Sequence, residues 1–229
     1  MSKPLVEIEG LKFRWPKQPQ ETLAIQSLRI GQLEHTFLQG SSGSGKTTLL
    51  NVLCGINLCS AGHLKVLGED LGALTSQRRD QFRGSHLGVI FQQFNLLPFL
   101  SVKENIELPC HFSTHRSAKV TNINVEVLRL LDALDLPESI LNQNVTELSA
   151  GQQQRVAACR AVIGSPELLI ADEPTSALDV QNRDNFIKLL FQEAEQHGST
   201  IIFVSHDPSL AKHFPKQVNL AEINQVGQS

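Results

Sequence analysis

Apolar and polar residues alternate at the start of the chain. Val6 and Ile8 share one side, and after Gly10 the set Leu11, Phe13 and Trp15 takes over. An alternation that shifts by one at a glycine predicts a strand carrying a β-bulge. Leu64 and Val66 alternate again after Gly62, which predicts a small antiparallel sheet in the amino-terminal half. Three other segments, 36–38, 168–171 and 201–204, are unbroken apolar runs. That is the pattern of strands covered on both faces in a parallel sheet. Between them the period changes. Ile123, Val127, Leu130, Leu131 and Leu134 recur at helical spacing and stop before Pro137, and Phe186, Leu189, Leu190 and Ala194 do so before Gly198. The chain reads as an α/β fold with a mainly parallel core sheet, a small antiparallel amino-terminal sheet and a helical insertion. We expect one domain over 1–229, with its core at about 1–92 and 165–229 and a helical subdomain at about 93–164.

Composition narrows the function classes. Of the 229 residues 41% are hydrophobic and 19% charged, an ordinary globular balance. The formal charge is −3, which removes the overall basic footprint of a nucleic-acid binder, so no nucleic-acid partner is expected. No apolar run approaches the 18 or so residues of a membrane span, and MSKPLVEIEG has no signal-peptide core. Cys54, Cys59, Cys110 and Cys159 form no CxxC pair and are expected as free thiols in a reducing compartment. Cys110, His111 and His115 cluster in sequence, but without a second cluster they read as a polar surface loop rather than metal ligands.

Residues 40–47, Gly40, Ser41, Ser42, Gly43, Ser44, Gly45, Lys46 and Thr47, match GxxxxGK[ST] in full. A buried strand (Thr36–Gln39) precedes the match, and a helix (Thr47–Cys54) closed by Gly55 follows it, with Thr48 also expected at the nucleotide. Glycines let such a loop wrap closely, so that successive N–H groups and the helix amino terminus face phosphates. Lys46 then reaches the β- and γ-phosphates, and the Thr47 hydroxyl holds Mg²⁺. The run 168–171 ends in Asp172 and Glu173, carboxylates at the carboxyl end of a buried strand, where open α/β sheets bind ligands. Asp172 suits the Mg²⁺ shell, and Glu173 suits polarising an attacking water. Ser149, Ala150, Gly151 and Gln152 open a further helix. Ser149 and Gln152 form a capping box, and a helix start with small residues is also a second phosphate-binding surface.

Taken in order, the phosphate loop, Gln92 in VIFQQFNLLP, LSAGQQQRVAACRAV, LLIADEPTSALD and His206 in IIFVSHD resemble the nucleotide-binding subunit of ABC transporters over nearly the whole chain. The resemblance implies the P-loop ABC ATPase fold, ATP and Mg²⁺ as ligands, ATP hydrolysis, and a homodimer with ATP at its interface. It implies that Trp15 stacks on adenine and that Gln92 senses Mg²⁺ and water. Ser149 to Gln152 grip the γ-phosphate bound to the other subunit, Asp179 lies in a loop crossing the dimer interface, and His206 acts as the switch histidine. Two departures stand out. Ala150 replaces the family's usual glycine, from which reduced rather than abolished activity is expected, and Gln32 with Glu34 and His35 replaces the common Gly-Glu before the P-loop strand.

The wording FQQFNLLPFLSVKENIELP is similar to the ATPases of macrolide exporters, lipoprotein-releasing complexes and cell-division complexes. The resemblance therefore implies a separately encoded, FtsX-like integral-membrane permease, and a cytoplasmic place at the inner face of the cell membrane through that permease. TSALD is less typical of that branch and keeps amino-acid and metal-ion importers as an alternative. Translation members carry two cassettes and repair members insert coiled coils or zinc modules, neither of which is visible. A small-molecule kinase would lack the LSAGQ signature and His206. No added regulatory domain is expected after His206. The apolar run Phe94, Leu96, Leu97, Phe99 and Leu100 reads either as core or as a groove for a permease helix.

Overall fold

The computed structural model describes residues 3–41, 43–176, 178 and 180–226, with backbone alone at 180 and 181. In chain order the elements are β1 (Val6–Phe13), β2 (Leu23–Ile30), β3 (Thr36–Gln39), α1 (Lys46–Leu53), β4 (Ala61–Val66), β5 (Glu69–Asp70), α2 (Ser76–His86) and β6 (Leu87–Ile90). They continue with α3 (Val102–Phe112), α4 (Thr114–Ala118), α5 (Ile123–Ala133), α6 (Ala150–Val162), β7 (Leu168–Asp172), α7 (Val180–Gln196), β8 (Thr200–Ser205), β9 (Lys216–Asn219) and α8 (Leu220–Ile223). Two compact units divide the chain, 1–83 with 202–229, and 84–201.

In the first unit β1 is the centre of an antiparallel sheet ordered β2-β1-β4-β5. Val6, Ile8, Leu11 and Phe13 are buried while Glu9 and Lys12 are exposed, so the inward set changes phase at Gly10. The register with β4 shifts between Glu9 and Lys12, and Gly10 takes φ +59°, which is the bulge the alternation requires. Opposite it, a Cβ on Gly62 would lie 2.2 Å from the Gly10 carbonyl oxygen, so only glycine lets the backbones approach there. Trp15 lies beyond the end of β1 rather than in it. β3 pairs in parallel with β8 on one side and β9 on the other. Phe37, Phe203 and Phe214 form an aromatic cluster with ring centroids 5.1–6.3 Å apart.

In the second unit β6 and β7 pair in parallel. A Cβ on Gly88 would meet the Ala161 carbonyl oxygen at 2.3 Å, so α6 packs on β6 at backbone contact. Between β6 and β7 the elements are α3, α4, α5 and α6, with short 3₁₀ turns at Glu138–Ile140 and Val145–Glu147. The apolar stripe predicted for α5 is buried at Val127, Leu130, Leu131 and Leu134. Arg129 on α5 reaches the buried carboxylate of Glu193 on α7 through two bonds of 3.0 and 2.9 Å, and also bonds Glu126. Arg116 on α4 is almost fully buried. Its guanidinium donates to the carbonyls of Leu87, Ala161 and Ile163, and burial pushes it down to about 10. Cys110, His111 and His115 lie on α3 and α4, so that segment is helical rather than a loop, and none of the four cysteines, all of them described, is in a disulfide.

Candidate functional site

The phosphate-loop motif connects β3 to α1 in the first unit. Gly43 and Gly45 have φ of +78° and +99°, and Gly45 caps α1 with no side chain between the helix N–H groups and a ligand. A Cβ on Gly40 would fall 2.5 Å from Ser44 Oγ, so the loop closes tightly only with glycine there. Lys46 Nζ donates to the carbonyl oxygens of Gly40 at 2.7 Å and Ser41 at 3.0 Å, which ties the ammonium to the loop. Among the described residues Ser44 Oγ is buried without a hydrogen-bond partner. An orphaned hydroxyl, an ammonium and a bare helix amino terminus on eight consecutive residues fit a polyphosphate. Thr47 lies in the first turn of α1 and Thr48 is buried beside it. Ser42 lies outside the described residues.

Strand register places His206. Gln39 pairs with Ser205 across β3 and β8, so Gly40 and His206 are each the next residue beyond a paired position at the same sheet end. Trp15 packs edge-on against Phe13, with centroids 5.1 Å apart and planes at 88°. With Arg14, Pro16, Lys17, Pro19 and Ser60 it lines an open surface pocket of about 470 Å³.

The second unit holds the remaining motifs by the same device. Ile90 pairs with Ala171 across β6 and β7, so Gln92 emerges level with Glu173, and Asp172 is the last residue of its strand. Carboxyl ends of parallel strands are where α/β sheets place ligand-binding groups. Glu173 is 8% exposed and adopts φ +48°, a left-handed conformation uncommon for a residue with a side chain. Strained backbone of this kind persists where function positions a side chain. Gln92 is exposed. Oxygen groups such as the Thr47 hydroxyl and the Asp172 carboxylate have the hard-donor chemistry that suits Mg²⁺.

The capping box at the start of α6 is present as expected. Ser149 Oγ accepts from Gln152 N–H, and Gln152 Oε1 accepts from Ser149 N–H at 3.0 Å. Ser149 and Ala150 are exposed. A Cβ on Gly151 would lie 3.5 Å from the Leu178 side chain, so the start of α6 and Leu178 are in contact. Asp179 lies outside the described residues.

The sequence did not point to the residues that hold the loop after Gln92. Asn105, fully buried on α3, accepts from Leu97 N–H at 2.8 Å and donates to the carbonyls of Leu97, Leu100 and Ser101. Arg160 on α6 donates to the carbonyls of Phe94 and Asn95 at 2.6 and 2.7 Å, and Asn144 to that of Pro98. Phe94, Leu96, Leu97 and Leu100 are half-buried, and Phe99 is 75% exposed. A polar residue inside a helical pattern ordinarily reads as solvent-facing, and only the tertiary contacts mark Asn105 as internal.

Comparison with known proteins gives the family. The family profile described as ABC transporter matches residues 23–176. The ABC transporter ATP-binding protein YbbA of Escherichia coli strain K12 is 39% identical over 90% of each chain. The bacitracin export ATP-binding protein BceA of Halalkalibacterium halodurans is 39% identical over 85% of this chain and 75% of its own. The macrolide export ATP-binding/permease protein MacB of Syntrophobacter fumaroxidans is 39% identical over 91% of this chain and 29% of its own length. Among solved structures, the bacterial ABC transporter cassette MJ0796 superposes with a TM-score of 0.83 at 29% identity over 93% of both chains, as a dimer. It superposes equally well in a dimeric post-hydrolysis state bound to ADP and Pi, at 30% identity. With its parallel strands, small antiparallel sheet and helices, the chain has the ABC ATPase fold and belongs to the ABC transporter family as an ATP-binding, ATP-hydrolysing subunit.

Proposed function

We propose that this subunit drives a separately encoded, FtsX-like integral-membrane permease at the inner face of the cell membrane, through a homodimer that closes on ATP. The observation that carries the reading is the pair of strand registers that deliver Gly40 with His206, and Gln92 with Glu173, to carboxyl strand ends. Trp15 stacks on adenine, the loop 40–45 and Thr48 cradle the phosphates, and Lys46 compensates their charge. Thr47, Asp172 and Gln92 hold Mg²⁺, which when bound neutralises developing phosphate charge. Glu173 polarises the attacking water and His206 contacts the γ-phosphate. Ser149 to Gln152 of one subunit, with Asp179 nearby in the chain, close over ATP bound to the other. The residues 93–164 act as the helical subdomain that meets the permease, with Phe99 at the contact. Among the described residues no helix is long and apolar enough to cross a membrane, which suits an ATPase that works through a partner. The export names of BceA and MacB favour an exporter-type or mechanically coupled permease over an importer.

The test is Glu173→Gln, which keeps size and polarity but not basicity. The variant should bind Mg-ATP, sediment as a dimer, and hydrolyse about 10²–10⁴-fold more slowly. Hydrolysis at the normal rate refutes the base, and a monomer with bound ATP refutes the closed dimer.

A further inference from the structure

Within the second unit three side chains far apart in sequence meet outside the nucleotide motifs. His86 Nδ1 lies 3.0 Å from Glu167 Oε2, and His115 Nε2 lies 3.1 Å from Glu167 Oε1. The two imidazole rings are 4.7 Å apart at 47°. One donor atom from each residue falls within 4.8 Å of the other two. A tetrahedral ion with bonds of about 2.0–2.2 Å spaces its ligand atoms about 3.3–3.6 Å apart, so small rotations of the half-buried rings bring the three to ligating distance. The side chains are 31%, 39% and 33% exposed, which leaves a path for an ion and room for water.

The backbone under these groups is fixed beforehand. Arg116, next to His115, donates to the carbonyl of Leu87, next to His86. Ser113 bonds Ser85 at 3.0 Å, joining the same two segments. Glu167 is anchored by Thr200 N–H to its own carbonyl and by Ser199 Oγ to that of Pro166. Preorganised ligands on separate rigid segments are what a metal site requires and what a chance surface cluster lacks.

We propose that His86, His115 and Glu167 bind a divalent transition-metal ion of the zinc class, with water completing the shell. Two imidazoles and one carboxylate suit such an ion and not Mg²⁺ or Ca²⁺, which take oxygen ligands. One competitor is built in. Lys119 Nζ bonds Glu167 Oε1 at 3.0 Å and the Ser165 carbonyl at 2.8 Å, so an ion must displace an ammonium from the carboxylate. Burial works against the Glu167 charge, but hydrogen bonds from His86, Lys119 and His115 hold its carboxyl well below the usual range.

The test is Co²⁺ titration of the tag-free, nucleotide-free full chain, read by visible absorption, with Zn²⁺ displacement by calorimetry. The expected result is a one-to-one tetrahedral nitrogen and oxygen spectrum lost on adding Zn²⁺. His115→Ala, whose ring is half-buried, should weaken binding by at least about tenfold. Lys119→Ala should tighten it by about fivefold, since it removes a competing cation. If the three groups are only an ion-pair network, Lys119→Ala leaves metal affinity unchanged. That result, no spectrum at all, a sulfur charge-transfer band pointing to Cys59 or Cys110, or a band that survives in both His86→Ala and His115→Ala, overturns the proposal. Circular dichroism of each variant without metal separates loss of ligands from loss of fold.

Discussion

Lys46 shows how much one side chain does at the residue scale. Its ammonium bridges two loop carbonyls, so it shapes the loop as well as offering charge. Charge-assisted contacts are worth about 1.5–3 kcal/mol each, so Lys46→Ala should lose about 10–100-fold in Mg-ATP affinity while remaining folded. Calorimetry checks this, and wild-type affinity in the variant refutes the phosphate role of the loop. Residues of this kind were legible in the sequence because their chemistry is local: eight consecutive positions carry the phosphate loop, and four carry the cap of α6. Asn105, Arg160 and Glu167 were not legible. Arg160 and Glu167 act far along the chain, Arg160 on Phe94 at a separation of 66 and Glu167 on His86 at 81, whereas Asn105 acts on nearby Leu97, Leu100 and Ser101 but from a buried position that its local pattern does not mark.

At the scale of elements the same distinction holds. β3, β7 and β8 were visible as apolar runs, because strands covered on both faces need no polar positions. β1 was visible with its bulge. β2 was missed because Gln26 and Ser27 are both exposed and break the alternation between Ile25 and Leu28. β6 is four residues with a glycine inside it, and β9 buries one apolar side chain, Val218. Neither offers a period to read. The segment 94–100 is an element without regular structure whose shape comes from outside it, chiefly from Asn105. Asn105→Ala removes four hydrogen bonds in the core and should lower stability by about 2–3 kcal/mol, measured by urea unfolding. Hydrogen exchange of the Leu97 amide should rise with it. An unchanged exchange rate would mean the loop holds its own shape.

For the molecule as a whole, the coupling of ATPase to membrane work is the property at stake. Phe99 is the apolar residue best placed to test it, because at 75% exposure a charge there does not enter the core. Phe99→Glu should keep the unfolding midpoint and the ATPase rate of the isolated subunit, while co-purification with the permease and stimulation by it fall at least tenfold. Leu97→Glu is expected to act in the same direction, with some loss of stability because Leu97 is half-buried. Normal assembly of both variants would move the contact elsewhere. One helix gives this coupling a mechanical form. α6 begins at the Ser149 cap and, eleven residues on, Arg160 grips the carbonyls of Phe94 and Asn95. At about 1.5 Å per residue that is a strut of roughly 16 Å. Its backbone hydrogen bonds resist shortening, so an ångström of travel at the capped end arrives as an ångström at the loop that presents Phe99. On the proposed function, a stroke at the capped end would be transmitted by stiffness along an axis, with no unfolding or relay of side-chain flips to carry it.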